Sequence, residues 1–89
     1  MTKTALITGA TGGLGTEFVK LFASNGDNLV LVGRNLNKLT ALKESIAYKY
    51  SVKVDTIAVD FSEETAAEQI FDHISKTNVQ INYLIRQIL

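Results

Sequence analysis

The chain has 89 residues, which bounds it to one small domain, and 46% of them are apolar, enough for a real core. Nine basic residues balance nine acidic ones, which argues against a surface that tracks nucleic-acid phosphates. Cysteine is absent, which excludes disulfides, a thiolate metal site and a cysteine nucleophile. The opening residues MTKTALITG break into glycines too early for a secretory signal. No segment approaches the roughly 18 apolar residues of a membrane span. A soluble, cytoplasmic protein without membrane or nucleic-acid partners is expected. Proline is absent and no Gly/Ser-rich linker, charge block or repeat divides the chain, so residues 1–89 read as a single unit.

Residues 3–8 read as a short buried strand. Residues 13–25 read as a helix, with Leu14, Phe18, Leu21 and Phe22 spaced to share a face. Gly26 is a natural C-terminal stop. NLVLVG, residues 28–33, is a second buried strand. Arg34 and Asn35 form a turn in which Asn35 can cap a helix over residues 36–50, with Leu39, Leu42 and Ile46 inward. A third strand covers residues 52–59. Ser62 is expected to cap a helix over residues 62–76, with Glu63 and Glu64 in its first turn, where the helix dipole favours them. Ala67, Ile70, Phe71 and Ile74 form its apolar stripe. INYLIRQIL, residues 81–89, reads as a fourth strand.

The order is βαβαβαβ, and the strands are continuous apolar runs, as in a parallel sheet covered on both faces. Right-handed crossovers then predict an α/β fold, the first half of a Rossmann-type doubly wound sheet with strand order 3-2-1-4.

Between the first strand and its helix lies TGATGGLG, residues 8–15, four of whose eight residues are glycine. A glycine-rich turn in that place suits a phosphate. Glycine lets backbone approach a ligand, and the helix behind it offers unsatisfied N–H groups and a positive dipole end. The usual dinucleotide spacing GxGxxG is not met, because Phe18 stands where the third glycine would fall, and the GK[ST] of a P-loop is absent. On spacing alone, a merely structural tight turn stays open.

Thr8-Gly9-x-x-x-Gly13-x-Gly15, with VGRN ending the second strand and VDFS ending the third, resembles the short-chain dehydrogenase/reductase family across residues 3–85. Gly9, Gly12 and Gly15 also satisfy the GxxGxxG of that family's extended branch of epimerases and dehydratases. NLNKLTALKESIAYKY and VDFS are more similar to the classical oxidoreductase branch. The resemblance implies a dinucleotide site formed by Gly9, Thr11, Gly12, Gly13, Leu14, Gly15, Arg34, Asn35, Asp60 and Phe61, with Asp60 and Phe61 beside the adenine. An NAD site usually places a carboxylate near the end of the second strand, about 20 residues past the glycines. Arg34 stands there instead, and Asp27 comes too early. A guanidinium can bind a ribose 2′-phosphate that a carboxylate would repel, so NADP(H) is expected in preference to NAD(H).

The family's catalytic serine and YxxxK pair, and the NNAG motif after its fourth strand, have no counterpart in these residues. Tyr48, Tyr50 and Tyr83 are followed four residues later by Val52, Val54 and Gln87, and positions 86–89 read RQIL. No catalytic residue and no metal ligand is assigned. His73, beside Asp72, reads as a solvated helix histidine, and Glu63/Glu64 as a helix-start charge pair. A truncated, cofactor-binding fragment without turnover is the expected function. A non-catalytic interaction or remnant domain, and a half-domain of an epimerase-like enzyme, remain alternatives. A fourth strand carrying Tyr83, Leu84, Ile85, Ile88 and Leu89 would leave an apolar edge, so self-association through it is expected.

Overall fold

Residues 2–86 are described by a computed structural model. Strands β1 (Thr4–Thr8), β2 (Asn28–Gly33), β3 (Val54–Ala58) and β4 (Tyr83–Ile85) alternate with helices α1 (Gly13–Ser24), α2 (Leu36–Tyr50) and α3 (Ala66–Thr77). The strands form one sheet in the order β3-β2-β1-β4, with every neighbouring pair parallel. This is the Rossmann-like arrangement that the chain order predicts. No helix among the described residues is long and apolar enough to cross a membrane.

The sheet's alternation sorts its side chains into two cores. Ala5, Ile7, Leu29, Leu31 and Val54 pack on one face with Val19 and Ala23 of α1 and Leu39 and Ile46 of α2. Leu6, Val30, Val32, Ile57 and Val59 pack on the other face, where α3 contributes Ile70 and Ile74. All five residues of β1 are buried, and five of the six in β2, so neither central strand shows a polar face. Burial of each large aliphatic side chain stabilises the fold by roughly 1.5–3 kcal/mol.

The helix faces differ in part from those expected. In α1 the buried ridge is Gly15, Val19 and Ala23, with Phe18 and Phe22 half-buried beside it, while Leu14 and Leu21 face solvent. Small residues let the helix approach the sheet closely, and the larger leucines then fall outside the contact. The chain leaves α1 through Gly26 at φ +87, with its N–H on the Ala23 carbonyl, so the expected glycine stop is present.

The start of α3 differs more. Ser62 does not cap it. The helix begins at Ala66, and Glu63 and Glu64 precede it, leaving Glu68 as the acidic residue of its first turn. Asp60 is the cause. Its Oδ1 accepts both the N–H and the hydroxyl of Ser62, at 2.9 and 2.8 Å, and its carbonyl accepts the Glu63 N–H. Ser62 is thereby held in a turn of its own, with its hydroxyl spent as a donor. In the stripe of α3, Ile70 and Ile74 are half-buried, but Ala67 and Phe71 are exposed.

β4 is shorter than expected. Its register sets Ala5 against Tyr83, Leu6 against Leu84 and Ile7 against Ile85. Asn82 fastens its entry, donating its N–H to the Thr4 carbonyl and accepting the Thr4 N–H on Oδ1. Tyr83 lies 5.3 Å from Phe22 between ring centres. Leu84 is exposed. Ile88 and Leu89, expected on the same edge, lie outside the described residues.

Candidate functional site

Parallel pairing brings the carboxyl ends of β1, β2 and β3 to one edge of the sheet. The glycine turn leaves β1 there, Arg34 follows Gly33 at the end of β2, and Asp60 follows β3 by two residues. In an open α/β sheet, ligands bind outside these strand ends.

The glycine turn is anchored by its own backbone. Gly9 adopts φ +61, which disfavours a side chain. The Ala10 N–H bonds to the Val32 carbonyl at 3.2 Å, which ties the turn to β2, and Ala10 is fully buried. The Gly12 N–H bonds to the Gly9 carbonyl at 3.1 Å, and Thr16 Oγ1 donates to the Ala10 carbonyl at 3.2 Å. Gly12 is the N-cap of α1, and no side chain caps that helix end.

Gly12 and Gly13 behave differently from Gly9. Gly12 has φ −77, which any residue adopts, and a Cβ there would meet only the Gly9 carbonyl at 3.4 Å. A Cβ on Gly13 would meet nothing within 4 Å. Neither backbone strain nor internal packing requires glycine at these positions, and glycine in a helical turn costs about 0.5–1 kcal/mol relative to alanine. Glycine at these positions leaves the space in front of the uncapped end of α1 clear. Leu14 is exposed at the same end, whereas Gly15 is buried among the residues facing the sheet.

Beside this turn lies an open cavity of about 560 Å³, lined by Thr11, Arg34, Asn35, Leu36, Asn37 and Lys38. Asn35 caps α2 as expected, its Oδ1 accepting the Lys38 N–H at 3.1 Å. Lys38, whose N–H that cap accepts, lines the same cavity as Arg34. Spacing three residues beyond a cap was the signal available for Lys38, and motif comparison passes over it. The cavity has two cationic side chains and no carboxylate in its lining.

Asp60 and Phe61 lie at the same sheet edge but do not line this cavity. The two hydrogen bonds from Ser62 hold the Asp60 carboxyl below the ordinary aspartate range, against an opposing effect of desolvation, and the Arg34 charge is the smallest contribution. Phe61 is exposed. His73 is not simply solvated. Its Nε2 lies 2.7 Å from Asp55 Oδ2, joining α3 to β3. Asp72, its neighbour in sequence, is not its partner. Among the described residues, no group of three or more metal-ligating side chains converges.

A glycine turn at the end of β1, a cationic cavity at the end of β2 and a parallel sheet in the order β3-β2-β1-β4 define a Rossmann-like α/β fold. Residues 3–87 match the short chain dehydrogenase family, and the chain belongs to it. It is similar to the very-long-chain 3-oxoacyl-CoA reductase of Podospora anserina, with 36% identity over 87 residues, covering 94% of this chain and 25% of that protein. The enzyme of the same name from Vanderwaltozyma polyspora is 43% identical over 60 residues, 67% of this chain and 17% of its own. Among solved structures, the L-sorbose reductase of Gluconobacter frateurii, complexed with NADPH and L-sorbose, superposes with a TM-score of 0.91. It has 26% identity, over 99% of this chain and 34% of that one. An NADPH-dependent reductase involved in bacilysin biosynthesis superposes with a TM-score of 0.92 and 29% identity, over 100% of this chain and 35% of its own. The chain thus spans a quarter or less of these curated relatives and about a third of these solved structures.

Proposed function

We propose that these residues form the NADP(H)-binding, N-terminal part of a short-chain reductase, and that they do not turn over substrate by themselves. One observation carries the cofactor reading. Arg34 follows β2 where a carboxylate would select NAD(H), and it lines a cavity with no acidic residue in its lining. The neighbouring structures with NADPH in their descriptions support the same choice. Bound NADPH would supply a hydride. The residues of this chain would hold it: the cleared backbone at Gly12 and Gly13 against the pyrophosphate, Arg34 and Asn35 toward the 2′-phosphate, and Asp60 and Phe61 toward the adenine. The names of the curated relatives extend the proposal to a longer polypeptide that reduces a 3-oxoacyl thioester.

Titration of the purified chain with NADPH and NADH tests this reading. One charge-assisted contact contributes about 1.5–3 kcal/mol, which gives a preference for NADPH of roughly 10- to 150-fold. Arg34→Glu should abolish or invert it. A wild-type chain that prefers NADH overturns the proposal.

Self-association belongs to the same reading. β4 pairs with β1 on one side, no strand among the described residues pairs with its other side, and Leu84 is exposed. Sedimentation should show dimers or larger species, and a clean monomer at high concentration refutes edge pairing.

A further inference from the structure

We propose that Asp55 and His73 close the β3 edge of the sheet against a strand from a second copy of the chain, leaving β4 as the edge open to pairing. The closure at β3 stands by itself. Only its consequence for the direction of association rests on the β4 pairing proposed above.

β3 ends the sheet order, and with five residues it is the longer outer strand, β4 having three. The Leu29 N–H donates to the Lys53 carbonyl, and the Val59 N–H donates to the Gly33 carbonyl. In a parallel ladder this alternation turns the main-chain groups of Val54, Thr56 and Ala58 away from β2. Such an outward row is a template for another strand. Thr56 is at its centre, and its N–H is already taken. Asp55 Oδ1 accepts it at 2.8 Å. The other carboxylate oxygen, Oδ2, lies 2.7 Å from His73 Nε2 on α3. One carboxylate is thus fixed from two sides, and swinging it off the Thr56 N–H breaks its bond to α3 as well. Asp55 shares its side of β3 with Ile57, which packs in the core under α3. An aliphatic residue would satisfy that pattern equally well. A strand laid along β3 would displace the Thr56 bond and draw the half-exposed carboxylate out of water, and both changes cost free energy. β4 has no charged side chain within it and presents Leu84 to solvent.

The test pairs amide hydrogen exchange at Thr56, read by NMR in dilute solution, with sedimentation at high concentration. It compares the wild-type chain with Asp55→Ala, Asp55→Asn, His73→Ala and Ile74→Val. Ile74 packs on the same face of the sheet, so Ile74→Val loosens α3 without touching the closure. Asp55→Ala should speed Thr56 exchange about three- to tenfold and sediment as larger species than wild type. His73→Ala should shift both readings in the same direction by less. Asp55→Asn keeps an acceptor for the Thr56 N–H and should stay within about twofold of wild type. Adding Ala58→Lys to Asp55→Ala, at an exposed position of the same strand, should restore wild-type sedimentation, because lysine on an edge blocks pairing. Unchanged Thr56 exchange in Asp55→Ala overturns the proposal. So does an equal effect of Ile74→Val, which would make the cause general loosening of α3. Failure of Ala58→Lys to reverse the association also overturns it, since the contact would then lie elsewhere. A monomeric wild type removes the β4 pairing but leaves each of these comparisons standing.

Discussion

On one face of the sheet, α1 and α2 bury Val19, Ala23, Leu39 and Ile46 to 3% exposure or less. On the other, α3 buries only Ala66, leaves Ile70 and Ile74 half covered and holds Phe71 at 70% exposure. Yet α3 is the most strongly amphipathic of the three helices. Amphipathic spacing selects a helix and orients it. How much of the stripe is buried depends on what lies beside and opposite it, and among the described residues α3 lies alone on its face of the sheet, whereas α1 and α2 lie side by side on theirs. Its attachment is correspondingly more polar, through the His73–Asp55 bond and the Asp60–Ser62 turn that precedes it.

This contrast predicts a graded set of effects. The largest concerns core against stripe. Leu31→Ala, at a fully buried position of β2, should cost about 2–5 kcal/mol in urea unfolding followed by circular dichroism. Phe71→Ala should stay within about 0.5 kcal/mol, as a surface change does. Comparable losses at the two positions would break the contrast and mean that something covers α3 in solution.

A smaller effect concerns the helix starts. Asn35 caps α2 with a side-chain bond, whereas Thr65, at the N-cap of α3, caps nothing and instead accepts from Gln69 Nε2. Asn35→Ala should cost about 1 kcal/mol. Thr65→Ala should cost only a few tenths, since no cap is lost. Thermal unfolding of the two variants compares them directly, and a larger loss at Thr65 would reverse the assignment.

The smallest effect is electrostatic. Because the folded chain lowers the Asp60 pKa, ionised Asp60 favours folding above the ordinary aspartate range. That contribution disappears as pH falls through the lowered value. Ser62→Ala removes the hydroxyl donor and should raise the Asp60 pKa part of the way back, because the Ser62 N–H remains. Carboxyl NMR titration reads this, and an unchanged pKa would show that the hydroxyl contributes nothing.

Much of this molecule follows from local chemistry. Asn28–Gly33 and Leu36–Tyr50 lie where hydrophobic runs, the Asn35 cap and the Arg34 turn place them. Gly26 ends α1 because a left-handed residue was needed there. The structure departs from local expectation where two polar residues compete for one role. Ser62 has the chemistry of a cap, but Asp60, two residues earlier, holds both of its donors, and α3 starts four residues late. Leu14 and Leu21 have the right spacing for a buried face, but small Gly15 and Ala23 allow the closer packing and take it.

The sequence alone determined the strand and helix order, the parallel sheet and the glycine turn, because these rest on periodicity, caps and backbone freedom within a few residues. Only the tertiary structure decided which distant groups meet. It joined Thr11 to Lys38 around one cavity, set Asp55 against His73, and showed that Gly12 and Gly13 leave their space clear. Those outcomes depend on parallel register and on crossovers that bring separate strand ends to one edge, and residue spacing along the chain does not encode them.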